Sequence, residues 1–206
     1  MTVNAVIFDI GNVLIEWQPE LYFDTVIGVD ARHVLFEQVD LHAMIDRIDA
    51  GANFAAEVAR TADMHPDWHD AILHFRDHWG DMAQPAIPQS VRLLAALKTR
   101  GVAVFALSNF GAQNFPISVA RFPFLATFDR AYISGRIGTK KPDPAIYAAV
   151  EADCALPPET LLFTDDRAEN IAAAATRGWQ VHLFDGAPGF AQCLVGAGLL
   201  TIGETA

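Results

Sequence analysis

Three strand-length apolar runs in this chain stop abruptly at polar residues. Residues 3–8 end at Asp9, residues 102–107 at Ser108-Asn109, and residues 160–164 at Asp165-Asp166. A fourth run covers 179–184 and a shorter one 128–133. Short continuous apolar runs read as strands buried on both faces. Helical patterns lie between them. In 90–100, Val91, Leu94 and Leu97 share one face and Gly101 follows; 143–151 opens on Asp-Pro; 168–177 is alanine-rich and ends at Gly178. Strands alternating with helices predict an α/β fold, a Rossmann-like parallel sheet with helices on both faces. In such sheets ligands bind outside the carboxyl ends of the strands, so the fold would gather Asp9, Ser108-Asn109 and Asp165-Asp166 at one edge.

Residues 16–87 break this rhythm. The strand pattern disappears, and the segment holds Trp17, Trp68 and Trp79 and six of the seven histidines. It reads as an inserted helical cap, with Pro85 and Pro88 marking its exit; residues 1–15 and 88–206 form the core. Trp17, Tyr22, Phe23 and Phe54 are candidates for its entrance, although aromatic residues in a helical insert more often pack in a core. The same reserve holds for Asp46 and Arg47, and no role is assigned to His42, His65, His69, His74 or His78.

Composition removes several classes of function. With 52% apolar and 19% charged residues the chain can bury a substantial core. No apolar stretch approaches the ~20 residues of a membrane span, and the first residues have no basic segment of a signal peptide. A net charge of −11 argues against a general nucleic-acid surface, while a small anionic ligand remains compatible with a locally positive pocket. The two cysteines, Cys154 and Cys193, have no metal-binding spacing and read as free thiols in a reducing compartment. A cytoplasmic location is the expectation.

Four segments carry chemistry. In Ile7-Phe8-Asp9-Ile10-Gly11-Asn12-Val13-Leu14 a carboxylate ends a strand before a glycine-containing turn, whose backbone N–H groups can approach an anion. Ser108 and Asn109 offer a hydroxyl and a carboxamide able to donate to a phosphoryl oxygen. In Gly138-Thr139-Lys140-Lys141-Pro142-Asp143-Pro144, Pro142 keeps Lys141 out of helical geometry, where a fixed ammonium can neutralise a carboxylate or a transferring phosphoryl group. Lys140 reads as a solvated loop lysine. In Thr164-Asp165-Asp166-Arg167, adjacent carboxylates after a buried strand need a compensating cation; Mg²⁺ and a lysine both suit. Taken singly, each segment has an ordinary structural reading as a cap, a turn or a surface loop.

The order Asp, Ser-Asn, Lys-Pro, Asp-Asp is far more specific than its parts. In it the sequence resembles the haloacid-dehalogenase superfamily over essentially the whole chain, and the helical segment sits where that family places a cap. The resemblance implies a Mg²⁺-dependent hydrolase with Asp9 as covalent nucleophile and Lys141 as its cationic partner. It implies metal ligation by Asp9, the Gly11 carbonyl and Asp166; substrate contacts from Asn12, Ser108 and Asn109; and supporting roles for Asp165 and Asn170. The Asp-x-Gly-Asn-Val form looks like a branch with sugar-phosphate phosphatases, so a small phosphorylated metabolite is the expected substrate.

One departure matters. Many phosphatases of the family carry a second Asp two residues after the nucleophile as general acid and base, a contribution worth about 10²–10⁴-fold. Here that position is Gly11. The 2-haloacid dehalogenases also lack it, and a dehalogenase acting on a halogenated metabolite is the alternative. The Asp165-Asp166 pair weighs against it, because displacement at carbon needs no metal to screen two anions. A binding or scaffold protein on the same fold is the third reading.

Overall fold

The structure, a computed structural model, describes residues 2–205. The first strand, β1 (Ala5–Phe8), is followed by a short β2 (Ile15–Trp17). Six helices come next: α1 (Pro19–Ile27), α2 (Val29–Gln38), α3 (Leu41–Asp49), α4 (Phe54–Met64), α5 (His69–Asp77) and α6 (Trp79–Met82). After β3 (Ala83–Ala86) the chain alternates: α7 (Pro88–Thr99), β4 (Ala103–Ser108), α8 (Phe115–Arg121), β5 (Arg130–Ile133), α9 (Ser134–Ile137), α10 (Pro144–Cys154), β6 (Leu161–Asp165), α11 (Ala168–Thr176), β7 (Gln180–Leu183) and α12 (Ala187–Gly196).

The main sheet is five-stranded, in the order β5-β4-β1-β6-β7, and every pairing in it is parallel. The α/β architecture expected from the alternating runs is the one observed. All four residues of β1 are fully buried. Side chains alternate across a strand, so Val6 and Phe8 enter one hydrophobic cluster with Leu93, Leu97, Phe190 and Leu194 of α7 and α12. Ala5 and Ile7 enter the other, with Tyr147 and Val150 of α10 and Phe163 of β6. Burial on both faces is why these strands read as unbroken apolar runs.

Helix ends follow local chemistry. Asp143 caps α10, its side chain accepting from Ala145 N at 2.8 Å, with Pro144 as the first helical residue. Gly101 and Gly178 adopt positive φ (72° and 88°) just beyond α7 and α11, where the left-handed conformation ends a helix without a Cβ penalty. The Gln84–Pro85 and Lys141–Pro142 peptides are cis.

The segment from 16 to 87 differs from expectation in one respect. It is not purely helical, because β2 and β3 pair antiparallel at its two ends, with Ile15 opposite Ala86 and Trp17 opposite Ala83. Three- and four-residue strands have no readable period, and the sequence Ala-Gln-Pro-Ala lacks branched residues. Only the meeting of the two chain passages creates this pairing. Inside the segment Trp79 is a hub, with ring centroids 4.6 Å from Trp17, 5.4 Å from Phe75, 5.5 Å from Phe54 and 5.8 Å from Phe110. Through Phe110, in the loop after β4, the helices pack onto the sheet edge. No helix among the described residues is long and apolar enough to cross a membrane.

Candidate active site

The parallel register sets the site. Phe8, the last residue of β1, lies opposite Ala106 of β4 and Thr164 of β6. The next residues along these strands therefore leave the sheet together, and Asp9, Ser108 and Asp165 converge at its carboxyl edge. Beyond β1 the chain turns sharply. Ile10 O accepts from Leu14 N at 2.9 Å and Ile15 N at 3.0 Å, and Asn12 takes a left-handed φ of 55°. Asparagine tolerates that conformation better than most residues. Its side chain spans two sides of the turn: Oδ1 accepts from Trp17 N at 3.0 Å, and Nδ2 donates to Asp166 Oδ2 at 3.2 Å.

Asp9 is 7% exposed. Ile10 N–H and the Ser108 hydroxyl donate to its Oδ1, each at 2.7 Å, and Lys141 Nζ lies 3.0 Å from the same oxygen. Oδ2 has no hydrogen-bond donor among the described residues. Burial pushes the Asp9 carboxyl up to about 7, with Asp165 adding to that and Lys141 and Ser108 opposing it.

Lys141 is buried between two carboxylates, its Nζ donating to Asp165 Oδ2 at 2.6 Å and standing 5.4 Å from the centre of the Phe163 ring. Burial disfavours the ammonium, but Asp9 and Asp165 outweigh it and hold Lys141 above the usual lysine range. Its backbone is fixed by Asn109, whose Oδ1 accepts from Lys141 N at 2.8 Å and whose Nδ2 donates to Lys141 O at 2.9 Å. The Asn109 carboxamide is thus spent on placing the lysine.

The two adjacent carboxylates differ. Asp165 is fully buried, and each oxygen is taken: Oδ1 accepts from Arg167 N at 2.8 Å and Asn170 Nδ2 at 3.0 Å, while Oδ2 accepts from Lys141 and from Asn170 Nδ2 at 3.0 Å. Asp166 is half-buried, lines the cavity and, among the described residues, receives a side-chain hydrogen bond from Asn12 alone. Burial raises its carboxyl, against the lowering by Asn12. Oxygens of Asp9, Asp165 and Asp166 all lie within 4.8 Å of one another.

These groups form the floor of a cavity of about 460 Å³. The residues that the resemblance assigned to catalysis, metal, substrate and support meet here: Asp9, Gly11, Asn12, Ser108, Asn109, Lys141, Asp166 and Asn170 line it, and Asp165 sits directly beneath. The other wall comes from the helical segment and its flanks: Ile15, Trp17, Ile45, Trp79 and Ala83, with His42, Asp46 and Asp49 on α3. Of the entrance candidates only Trp17 lines the cavity. Phe23 and Phe54 are core residues, and Tyr22 stacks on His74.

Lys140, expected as a solvated loop lysine, keeps about a third of its side chain exposed and also pairs through Nζ with Asp46 of α3 at 2.5 Å. Asp49, which drew no attention in the sequence, is a buried cavity residue whose carboxyl burial pushes up to about 7. The available signal was the spacing His42, Ile45, Asp46, Asp49, which is one face of a helix.

A family model described as haloacid dehalogenase-like hydrolase matches residues 3–178. The drimenol cyclase of Aspergillus calidoustus is 24% identical over 194 residues, which is 88% of this chain but only 34% of the cyclase. A sesquiterpene phosphatase of Aspergillus oryzae is 27% identical over 190 residues, covering 89% of this chain and 91% of that protein. A haloacid-dehalogenase-family enzyme from Bacteroides thetaiotaomicron superposes with a TM-score of 0.73, at 22% identity over 92% of this chain and 99% of that one. The same enzyme has been crystallised with magnesium and inorganic phosphate, and that form gives 0.68 at 21% identity, covering 87% and 93%. The L-2-haloacid dehalogenase of Xanthobacter autotrophicus, with chloropropionic acid covalently bound, gives 0.65 at 18% identity, covering 99% and 87%. At these identities the structural likenesses speak for the fold.

Proposed function

Because the chain belongs to the haloacid dehalogenase-like hydrolases, we propose that it is a Mg²⁺-dependent phosphatase in which Asp9 is the nucleophile. The observation that carries this reading is the cluster of Asp9, Asp165 and Asp166, of which the Lys141 ammonium pairs with the first two. Three carboxylates beside one lysine leave excess negative charge, and the Asp9 and Asp166 carboxyls are raised, chiefly by burial and further by Asp165. An all-oxygen donor set fits a hard divalent cation. Asp9, Asp166 and the Gly11 carbonyl would hold it. Bound there, Mg²⁺ would screen the two anions that must meet and stabilise charge on the phosphoryl oxygens.

The protein groups divide the remaining work. Asp9 Oδ1 is held by three donors, which turns the carboxylate and leaves Oδ2 for attack on phosphorus. Lys141 supplies a fixed positive charge beside the point of attack, and Ser108 a hydroxyl that can pass from Asp9 to a phosphoryl oxygen. Asn109 and Asp165 hold the lysine from its two ends. Asn12 holds Asp166, and Asn170 holds Asp165. The helical segment acts as the cap that closes the cavity against water.

The cap side of the cavity favours an ester with an apolar alcohol. Ile15, Trp17, Ile45, Trp79 and Ala83 present aliphatic and aromatic surface facing the anionic floor, with His42, Asp46 and Asp49 as the polar groups of that wall; a sugar would need hydrogen-bonding partners for each hydroxyl. The similarity to a sesquiterpene phosphatase supports the same choice. Phosphate release from farnesyl monophosphate, a sugar phosphate and p-nitrophenyl phosphate, each with Mg²⁺ and with EDTA, tests the proposal. Mg²⁺-dependent release, greatest with the prenyl ester, is expected. Dehalogenation is the second reading, favoured by Gly11 alone, and it leaves the acidic cluster without a purpose.

A further inference from the structure

Gly11 leaves the proposed reaction without its proton donor. A Cβ built at Gly11 would meet nothing within 4 Å, so this corner of the site is open. The proton has to come from another wall of the cavity. Outside the acidic floor, three cavity residues carry a carboxyl or an imidazole, and α3 holds all of them: His42, Asp46 and Asp49. His42 and Asp46 are exposed at the rim, and Asp46 is engaged by Lys140. Asp49 lies one turn further along, only 8% exposed, and its carboxyl has neither a hydrogen bond nor an ion pair among the described residues. Its oxygens open onto the cavity instead of being sealed in protein, and carboxyls placed in this way concentrate where chemistry uses them.

Close packing brings α3 to this place. A Cβ on Gly111, in the loop after β4, would lie 2.5 Å from Ile48 Cγ2. No side chain fits there, and the helix rests almost directly on the loop that follows Ser108-Asn109. Ile48 is the neighbour of Asp49, so this contact sets the depth at which Asp49 enters the cavity. The Lys140–Asp46 pair ties the same helix to the loop that carries Lys141.

We propose that Asp49 is the proton donor and acceptor of the reaction, in place of the carboxylate absent at position 11. The assignment rests on the phosphatase reading above. As the Asp9–phosphorus bond forms and the ester P–O bond breaks, the Asp49 carboxyl gives its proton to the departing oxygen, which leaves as the alcohol. The Asp49 carboxylate then takes a proton from the water that attacks the aspartyl-phosphate. Inorganic phosphate departs, Asp9 returns as a carboxylate, and Asp49 is protonated again. The surroundings suit this cycle. Burial, with Asp46 on its own helix and Asp9 across the cavity adding to it, pushes the Asp49 carboxyl up to about 7 against Lys140 and Lys141. A general acid works best with its pKa near the operating pH.

Leaving-group dependence tests the assignment. Asp49→Asn and the wild type are compared on octyl phosphate, whose alkoxide needs a proton, and on p-nitrophenyl phosphate, whose phenolate leaves without one. The expected result is a fall of about 10²–10⁴-fold in turnover of octyl phosphate. The pre-steady-state burst of p-nitrophenolate should persist at close to the wild-type rate, followed by slow steady-state turnover as the aspartyl-phosphate waits for a base. The intact burst also reports a folded site. Should Asp49→Asn give no burst, Asp49→Leu, apolar in an apolar setting, is read in the same assay. Equal losses on both substrates, burst included, would mean a structural role and overturn the assignment, as would unchanged turnover of octyl phosphate. If the wild type releases phosphate from neither ester, the phosphatase reading falls and this assignment with it.

Discussion

The Lys141 ammonium stands 3.0 Å from the Oδ1 of Asp9, and both side chains are almost fully enclosed by protein. Asp165 takes a second contact from the same nitrogen at 2.6 Å. One cation therefore holds two buried carboxylates, and removing it leaves both uncompensated. Lys141→Ala is expected to lose phosphate release and to destabilise the metal-free protein by about 3–5 kcal/mol at neutral pH. Mg²⁺ should recover part of the lost Tm by supplying the missing charge. Thermal melts with and without Mg²⁺ check this; wild-type stability in the metal-free variant would show that the cluster does not carry the charge assigned to it.

Asp9→Asn keeps the shape of the side chain and removes the attacking oxygen. Turnover of every phosphate ester should vanish while the melting temperature holds or rises, since one buried negative charge has gone. A phosphate-release assay decides, and normal turnover by this variant would sink the covalent mechanism.

Removal of metal separates the two readings of the family. EDTA should abolish phosphate release, and added Mg²⁺ should restore it. Halide release from 2-chloropropionate in EDTA, measured by ion chromatography, should be absent. Its presence, without any phosphatase activity, would move the protein to displacement at carbon.

Gly111→Ala probes the seat of α3. The added methyl would meet Ile48 Cγ2 at 2.5 Å and the Asn114 Oδ1 at 2.3 Å, so the Ile48 and Asn114 side chains have to shift, and Ile48 passes the strain to α3. Overpacking of this kind costs about 1–3 kcal/mol. If Asp49 depends on that seat, turnover of octyl phosphate should fall by more than the p-nitrophenolate burst. Equal activity on both esters at wild-type stability would show that the contact is soft.

Glu57 joins α3 to α4. It accepts from Arg60 Nε at 3.0 Å and pairs with Arg47 of α3. The Arg60 hydrogen bond, with burial opposing it and Arg47 adding to it, lowers its carboxyl to about 2. A carboxyl lowered on folding contributes stability above its unfolded value, about 4.5, and loses it as pH falls towards 2. Glu57→Gln should therefore melt below the wild type at pH 7, and the gap should close between about pH 4.5 and pH 2. Both arginines are about half exposed, so the gap should be modest and shrink with salt. A gap independent of pH would mean that Glu57 acts through packing.

What the sequence alone determined is the sheet and the floor of the site. Residues at the ends of buried strands are marked by an abrupt change from apolar to polar, and a parallel register carries those ends to one edge. Asp9, Ser108 and Asp165 could therefore be placed together although 99 residues separate the first two. The tertiary structure decided the facing wall. Asp49 lies on a helix whose polar face would be solvated in isolation; it becomes a buried cavity residue where that helix packs, through Ile48, close against Gly111. The same holds for the Lys140–Asp46 pair, for the Asn109 carboxamide bound to the Lys141 backbone, and for the brief pairing of β2 with β3. Strand period and strand ends are local properties of a chain. The angle and depth at which a helix packs depend on side chains far away in sequence, and no local pattern records them.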